Sequence, residues 1–386
     1  MAFQMPEYHQ PDFSKEQFIK APDAKWEIVE IDGVAPEYFH STSMFPEYFK
    51  IQGKWVLAEE SRMDSSVVIC PDGHLEVVEN RNLKKGDKVI LGRSEACEEG
   101  IYVHSTGFQT EADALADKFV FRQGRSRETS YARDYDRLMD LLRYEKEHGK
   151  IVWVMGPAFS FDYDARNPMQ SLLLGDVTSD TIDLELTRVQ SLIDNGYAHG
   201  LMAGNALATH DLEGALLHTA LGQDIYTQVS QPNGHYNHLD VLNKVRRSGS
   251  IPKFIEDNHI DNGIIYGCVK NHVPFVLTGS IRDDGPMPEV IGDAYKGQSA
   301  MRDMVRDATC VICLATMLHT IATGNMTPSF RVMKDGTIRP VYLYTVDADE
   351  FVVNKLMDRG SLSATTIVTN VQDFITIIAK GLGVMK

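Results

Sequence analysis

Positive charge is scarce in this 386-residue chain: 38 Lys and Arg stand against 54 Asp and Glu, a formal net charge of -16. That balance repels polyanions, so nucleic acid and anionic membrane surfaces are excluded as partners. The densest basic cluster, Lys244-Val245-Arg246-Arg247, is too short to change this and reads as a solvated helix face. Long apolar runs are missing too. None reaches the roughly 18 residues needed to cross a bilayer, and the best candidate, residues 310–322, is interrupted by Thr316, His319 and Thr320. The opening residues MAFQMPEYHQPDF carry no basic segment followed by an apolar one, so a cytoplasmic location is expected. Cysteines are few and odd in number, five in all, without framework spacing, which fits a reducing compartment. Cys310-Val311-Ile312-Cys313 sits inside an apolar strand pattern with no second ligand pair, so it is read as core and no metal site is expected.

The length suffices for two domains, each with its own core. Residues 1–24, punctuated by Pro6, Pro11 and Pro22, predict an arm packed on a neighbouring surface. Short strands follow at 26–31, 66–70, 74–78, 88–91 and 119–121, with turns at Asp32-Gly33, Pro71-Asp72-Gly73 and Lys85-Gly86-Asp87. Residues 1–130 are therefore expected to hold the arm and a mostly β domain, a small barrel or sandwich. Residues 122–137 carry Arg122, Arg125, Arg127, Arg133 and Arg137. These are either exposed cations at a helix entry or guanidiniums that fork onto a substrate carboxylate or a cofactor phosphate. Beyond residue 131, strand-like runs at 151–155, 199–203, 273–277, 309–314, 341–346 and 365–369 alternate with amphipathic patterns at 134–148, 210–221, 239–248, 299–306 and 349–359. That alternation predicts right-handed crossovers and a doubly wound parallel sheet for residues 131–386.

Four of these strands finish in small-residue turns: Gly156-Pro157-Ala158, Gly204-Asn205-Ala206, Gly279-Ser280 and Leu314-Ala315-Thr316. Such turns expose backbone N–H groups near helix starts, which suits a pyrophosphate. A fifth strand ends in Val346-Asp347-Ala348-Asp349, and Asp347 is placed to accept the ribose hydroxyls and repel a 2′-phosphate, so NAD is expected over NADP. The Gly-x-Gly-x-x-Gly fingerprint is absent. The usual Rossmann description is therefore a poor one, and a different NAD-binding α/β topology is expected.

The stretch VPFVLTGSIRDDGPMP, residues 273–288, is the outline of a buried strand that stops at Thr278-Gly279-Ser280 and opens into a charged turn. Asp283 and Asp284 beside Arg282 offer a general base with a charge partner. The same residue types also serve as a solvated loop with a helix cap. His210-Asp211 and His319 lie near the other turns and are candidates to move protons near neutral pH. His235 and His238 have one-turn helical spacing without an evident third ligand, and His235 with Asn237 is carried as a substrate contact.

Together these stretches resemble the archaeal-type ornithine cyclodeaminase family, which carries the domain named for lysine-oxoglutarate reductase and saccharopine dehydrogenase (LOR/SDH). The resemblance rests on AGNALATHDLEGALLHTALG (203–222), GHYNHLDVLNKVRRSGSI (234–251), NGIIYGCVKNHVPFVLTGSIRDDGP (262–286) and LATMLHTIATGNMTPS (314–329). It extends more weakly through FHSTSMFPEYFKIQGKW (39–55) and KKGDKVILG (84–92). It implies an NAD-binding domain like that of deoxyhypusine synthase, an amino-acid-like substrate and a homo-oligomer. The implied reaction turns ornithine into proline and ammonia: hydride leaves the α-carbon, the δ-amine attacks the imine, ammonia departs and hydride returns. Such chemistry needs a base, here Asp283 or Asp284, a carboxylate clamp, Arg282 or an arginine of 122–137, and a water-poor pocket. Three departures stand out. A short polar arm replaces a longer leading region, an arginine-rich entry replaces a serine-rich one, and after Gly156-Pro157-Ala158 the chain runs FSFDYDARNPMQSLLLGDVTSDT where the family expects a short loop. That insertion makes a different amino-acid-like substrate, or a non-catalytic NAD-binding regulator, the alternatives to ornithine.

Overall fold

The computed structural model describes residues 3–108, 132–161, 196–283, 285–350 and 364–384. Arg122, Arg125, Arg127, Asp284, most of the insertion, the strand expected at 119–121 and the helix expected at 349–359 lie outside the described residues. So does the domain boundary proposed near residue 130.

The first half begins with helix α1, Glu16–Lys20, and continues as strands β1 Lys25–Ile28, β2 Glu47–Ile51, β3 Lys54–Leu57, β4 Ser66–Ile69, β5 Leu75–Val78, β6 Lys88–Leu91 and β7 Ile101–Val103. They form a four-stranded sheet in the order β1-β6-β4-β5 and a three-stranded sheet in the order β3-β2-β7. Both sheets contribute to one apolar cluster, with Phe49 and Ile101 from one and Val67, Val77 and Ile90 from the other, so the arrangement is a small sandwich. The strands β2, β3 and β7 were not expected: Lys50, Gln52 and Lys54 break the apolar patterning of β2 and β3, and β7 is only three residues long. Lys50 is buried, and its ammonium donates to the carbonyls of Phe18, Ile19 and Ala21, tying down the arm. Phe3, further out on the arm, reaches the second half and packs against Tyr144 and Tyr342.

The second half holds helices α2 Ala132–His148, α3 Asn205–Leu217, α4 Asn237–Ser248, α5 Ile251–Asp257, α6 Ile264–Lys270, α7 Ala294–Val305, α8 Met317–Met326 and α9 Val371–Gly381. Its principal strands are β8 Ile151–Met155, β9 Gly200–Gly204, β12 Phe275–Thr278, β13 Val290–Ile291, β14 Cys310–Leu314, β17 Tyr342–Asp347 and β18 Ala364–Val368; the short strands β10 Thr219–Ala220 with β11 Gln223–Asp224, and β15 Phe330–Val332 with β16 Ile338–Pro340, form two small hairpins between them. The seven strands form one sheet in the order β13-β12-β9-β8-β14-β17-β18, and each neighbouring pair is parallel. Side chains alternate between faces. Ile151, Trp153 and Met155 enter one apolar layer while Val152 and Val154 enter the other, so β8 is apolar throughout, as a central parallel strand must be. Cys310 and Cys313 divide between the same two layers, and burial pushes both thiols up, Cys313 to about 12, which makes them inert core groups as expected.

The chain fills the sheet outward from β8 in one direction and then from β14 in the other. This is a doubly wound sheet with a single switch point between β8 and β14. The expectation of a topology unlike the usual Rossmann order is corrected here: strand order is set by crossover packing, which does not require the glycine fingerprint.

Candidate active site

In doubly wound sheets ligands bind beyond the carboxyl ends of the strands at the switch point. Here that crevice lies between Gly156 and Ala315. The Gly156 N–H donates to the Leu314 carbonyl at 2.9 Å, and a Cβ on Gly156 would sit 1.9 Å from the Ala315 oxygen. Glycine is thus required by close backbone approach. Ala315 holds a left-handed φ of 51°, which turns the chain away from β14 into α8 and leaves Met317 and Leu318, in the first turn, exposed. After Gly156 the chain makes a 3₁₀ turn over Pro157–Ser160 whose Ser160 hydroxyl donates to the Leu207 carbonyl at 3.1 Å.

The neighbouring strand ends complete the rim. Gly204 precedes α3, so the Gly204-Asn205-Ala206 turn is the helix start itself; the helix expected from residue 210 begins five residues earlier. Asn205 Oδ1 accepts the Met287 N–H at 3.3 Å, joining the end of β9 to the loop after β12. His319 Nε2 lies 3.1 Å from Thr278 Oγ1 and its ring fills the space beside Gly204. Burial lowers the His319 pKa and keeps the imidazole neutral. In the charged turn, Asp283 Oδ2 accepts the Ser280 N–H at 2.6 Å, Arg282 is exposed, and the Gly279 N–H donates to the Ile291 carbonyl. Asp347 closes β17, and its Oδ1 accepts the Asp349 N–H at 2.9 Å.

Two backbone turns expected to hold pyrophosphate, at Gly156 and Ala315, flank the switch point, and those at Gly204 and Gly279 stand next along the same edge. The N-termini of α3 and α8 open onto this edge, both longer than a single turn. An adenine dinucleotide fits such an edge. Gly156-Pro157-Ala158 and Leu314-Ala315-Thr316 would hold its diphosphate, Asp347 its ribose.

One constellation was not expected. His210 is buried in the second turn of α3, and its Nδ1 lies 2.8 Å from Glu213 Oε2. Glu213 is fully buried and also accepts from Thr219 Oγ1 at 2.8 Å and from the N–H groups of Gly222 at 3.1 Å and Leu221 at 3.2 Å. Asn237 joins this group by donating to Thr219 Oγ1 at 2.9 Å. The Phe161 ring packs edge-on against His210 with centroids 5.3 Å apart, and the His238 ring stands 5.9 Å away with a buried Nδ1 that has no partner among the described residues. Glu213 stands three residues after His210, one helical turn, so the spacing itself is a signal of the pair. Asp211 points elsewhere: its Oδ2 accepts the Ile265 N–H at the start of α6, a capping contact. His235 is exposed and lies against Tyr236.

A family model described as arginine dihydrolase ArgZ-like, C-terminal, Rossmann fold matches residues 185–378. An ornithine cyclodeaminase of Methanocaldococcus jannaschii is 37% identical over 358 residues, 92% of this chain and 76% of that protein. The bifunctional arginine dihydrolase/ornithine cyclodeaminase AgrE of Nostoc sp. is 34% identical over 363 residues, 93% of this chain but 47% of its own length. Among solved structures, a conserved LOR/SDH protein of Methanococcus maripaludis matches with a TM-score of 0.79 and 32% identity, covering 94% of this chain and 98% of that one. The ternary complex of AgrE with ornithine and NAD+ matches with a TM-score of 0.55 and 32% identity, covering 94% of this chain and 46% of that one.

Proposed function

The chain belongs to the archaeal-type ornithine cyclodeaminase family, and on that premise we propose that it is an NAD-dependent deaminating lyase that cyclises ornithine, or a close relative of it, with loss of ammonia. The observation that carries the reading is the reversal of strand order between β8 and β14 together with the buried His210–Glu213 pair on the helix that follows the neighbouring strand β9. When bound, NAD supplies a reversible hydride acceptor for the substrate α-carbon.

The side chains then divide the remaining work. Glu213 accepts the Nδ1 proton of His210, which leaves Nε2 as the lone-pair nitrogen that takes a proton from the substrate amine. Four donors hold the Glu213 carboxylate, so the imidazole is oriented before substrate arrives. Phe161 shields His210 from water on one side, and exclusion of water protects the imine from hydrolysis. His238 Nδ1, without a partner among the described residues, offers a hydrogen-bonding atom for a substrate amine or carboxylate. Arg282, His235 and the arginines Arg122, Arg125 and Arg127 remain the candidates for the carboxylate clamp. Asp283, held by the Ser280 N–H, shapes the loop after β12 and is the rival base.

The test is ammonia release by the purified protein with NAD, measured over ornithine, lysine, arginine and a panel of other amino acids, with proline followed alongside. Stoichiometric proline and ammonia from ornithine are expected. Ammonia from another amino acid alone would place the enzyme on a different substrate. Bound NAD with no ammonia from any of them would mark a non-catalytic NAD-binding regulator.

A further inference from the structure

The hairpin joining β4 to β5 carries three donors that neither the crevice nor the proton-transfer pair uses. Cys70, His74 and Glu76 each present a ligand atom, and the three atoms lie within 4.8 Å of one another. Their convergence follows from the backbone. Val68 pairs with Glu76 and Ile69 with Leu75, and the turn is closed by Cys70 N–H to the His74 carbonyl at 3.0 Å and Gly73 N–H to the Cys70 carbonyl at 2.9 Å. Cys70 therefore stands opposite His74, and Glu76 follows two residues later on the same face. Leu75 and Val77 turn into the apolar core, which obliges His74 and Glu76 to face outward.

We propose that this hairpin tip binds one thiophilic divalent cation of the zinc class, with the Cys70 thiolate, a His74 imidazole nitrogen and a Glu76 carboxylate oxygen as protein ligands and solvent in the fourth position. Mixed sulfur, nitrogen and oxygen donors with one open position suit a tetrahedral zinc site. A carboxylate already stands beside the imidazole: Asp72 Oδ1 lies 2.5 Å from His74 Nδ1, the kind of partner that orients a ligand histidine. Cys70 is also the one cysteine of the five that is not buried. No Lys or Arg pairs with Glu76 among the described residues. A divalent cation supplies the missing positive charge, displaces the thiol proton to solvent and leaves the thiolate as its ligand. Two surface hollows border the donors, one of about 660 Å³ lined by Cys70 and Glu76 and one of about 290 Å³ lined by His74 and Glu76.

The experiment titrates the full-length, fully reduced protein with Co²⁺ as a spectroscopic stand-in and with Zn²⁺ by calorimetry. One equivalent is expected, with thiolate-to-cobalt absorption in the near ultraviolet that Cys70→Ser abolishes. His74→Ala and Glu76→Gln should each weaken Zn²⁺ binding, and Asp72→Asn, which alters only the partner of the imidazole, should weaken it about tenfold. Zn²⁺ should also raise the midpoint of thermal unfolding of the unmodified protein but not of Cys70→Ser. Asp72 and His74 lie on the exposed turn, Cys70 borders it half-buried and Glu76 is an exposed position of β5, and circular dichroism verifies that each variant folds. Unchanged Zn²⁺ stoichiometry and affinity in Cys70→Ser, or no thiolate-to-cobalt absorption in the unmodified protein, would overturn the assignment.

Discussion

Glu213 has no polar surface left to expose: it is buried and its two oxygens serve four donors. A carboxylate held this way orients whatever its partner does, so the two residues should fail differently. His210→Gln should bind NAD normally and lose turnover by about a hundredfold or more, since it removes the base itself. Glu213→Gln should lose less and shift the pH dependence of kcat, because the imidazole survives with a weaker partner. Asp283→Asn is the contrasting variant. If it instead causes the hundredfold loss while His210→Gln stays near normal, the base belongs to the loop after β12. At Asp347 the expectation concerns selectivity rather than rate. NAD should bind well and NADP poorly, and Asp347→Ala should narrow the gap; equal affinities in the unmodified protein would remove Asp347 from the ribose site.

Among the elements, the turn that leaves β8 offers a direct test of the proposed cofactor site. Gly156 is pressed against the Ala315 carbonyl, and the backbone on both sides is locked into a central sheet, so neither can yield to a Cβ. Gly156→Ala should therefore lower NAD affinity at least tenfold, read by equilibrium titration, while α3 and its His210–Glu213 pair stay in place. The same turn carries the first residues of the insertion, among them Phe161, whose ring stands against His210. Loops on a ligand-bearing edge can change specificity without changing the fold beneath. Replacing residues 162–181 with a short Gly-Ser linker should preserve folding and NAD binding yet alter substrate affinity or turnover. Unchanged kinetics with the true substrate would show that the insertion does not shape the pocket.

The whole molecule is held across its two halves by polar contacts as well as by the arm. Arg302 on α7 is buried, pairs with Glu60 and donates to the Met326 carbonyl, while Ser61 and Ser329 hydroxyls meet at 2.9 Å. Three histidines distributed over both halves, His104, His199 and His319, have pKa values lowered from 6.5 chiefly by burial. The unfolded chain takes up these protons first. Stability should thus be constant well above pH 6.5 and fall as pH drops below that value, until each folded-state pKa is passed. Denaturant titrations between pH 8 and pH 5 check the sign, and His199→Gln, far from the strand-end crevice, should flatten the slope. A stability that rises on acidification through this range would contradict it.

The periodicity of apolar residues was enough to place all six principal parallel strands expected after residue 131, because a strand buried on both faces must be apolar at every position, as IVWVM and CVICL are. Small residues after those strands likewise marked the crowded carboxyl edge of the sheet, since only they permit the close backbone approach seen at Gly156. Strand order was not legible: it depends on which way each crossover packs, and the missing fingerprint pointed away from the usual Rossmann order although the doubly wound sheet itself was expected. Buried polar groups were hidden for a related reason. Lys50 and Glu213 read as surface residues in one dimension, and only the carbonyls of Phe18, Ile19 and Ala21, or the donors of His210, Thr219, Leu221 and Gly222, make their burial affordable. Local pattern determined the elements and their polarity; long-range hydrogen bonding and packing decided which polar side chains could lie inside and face one another.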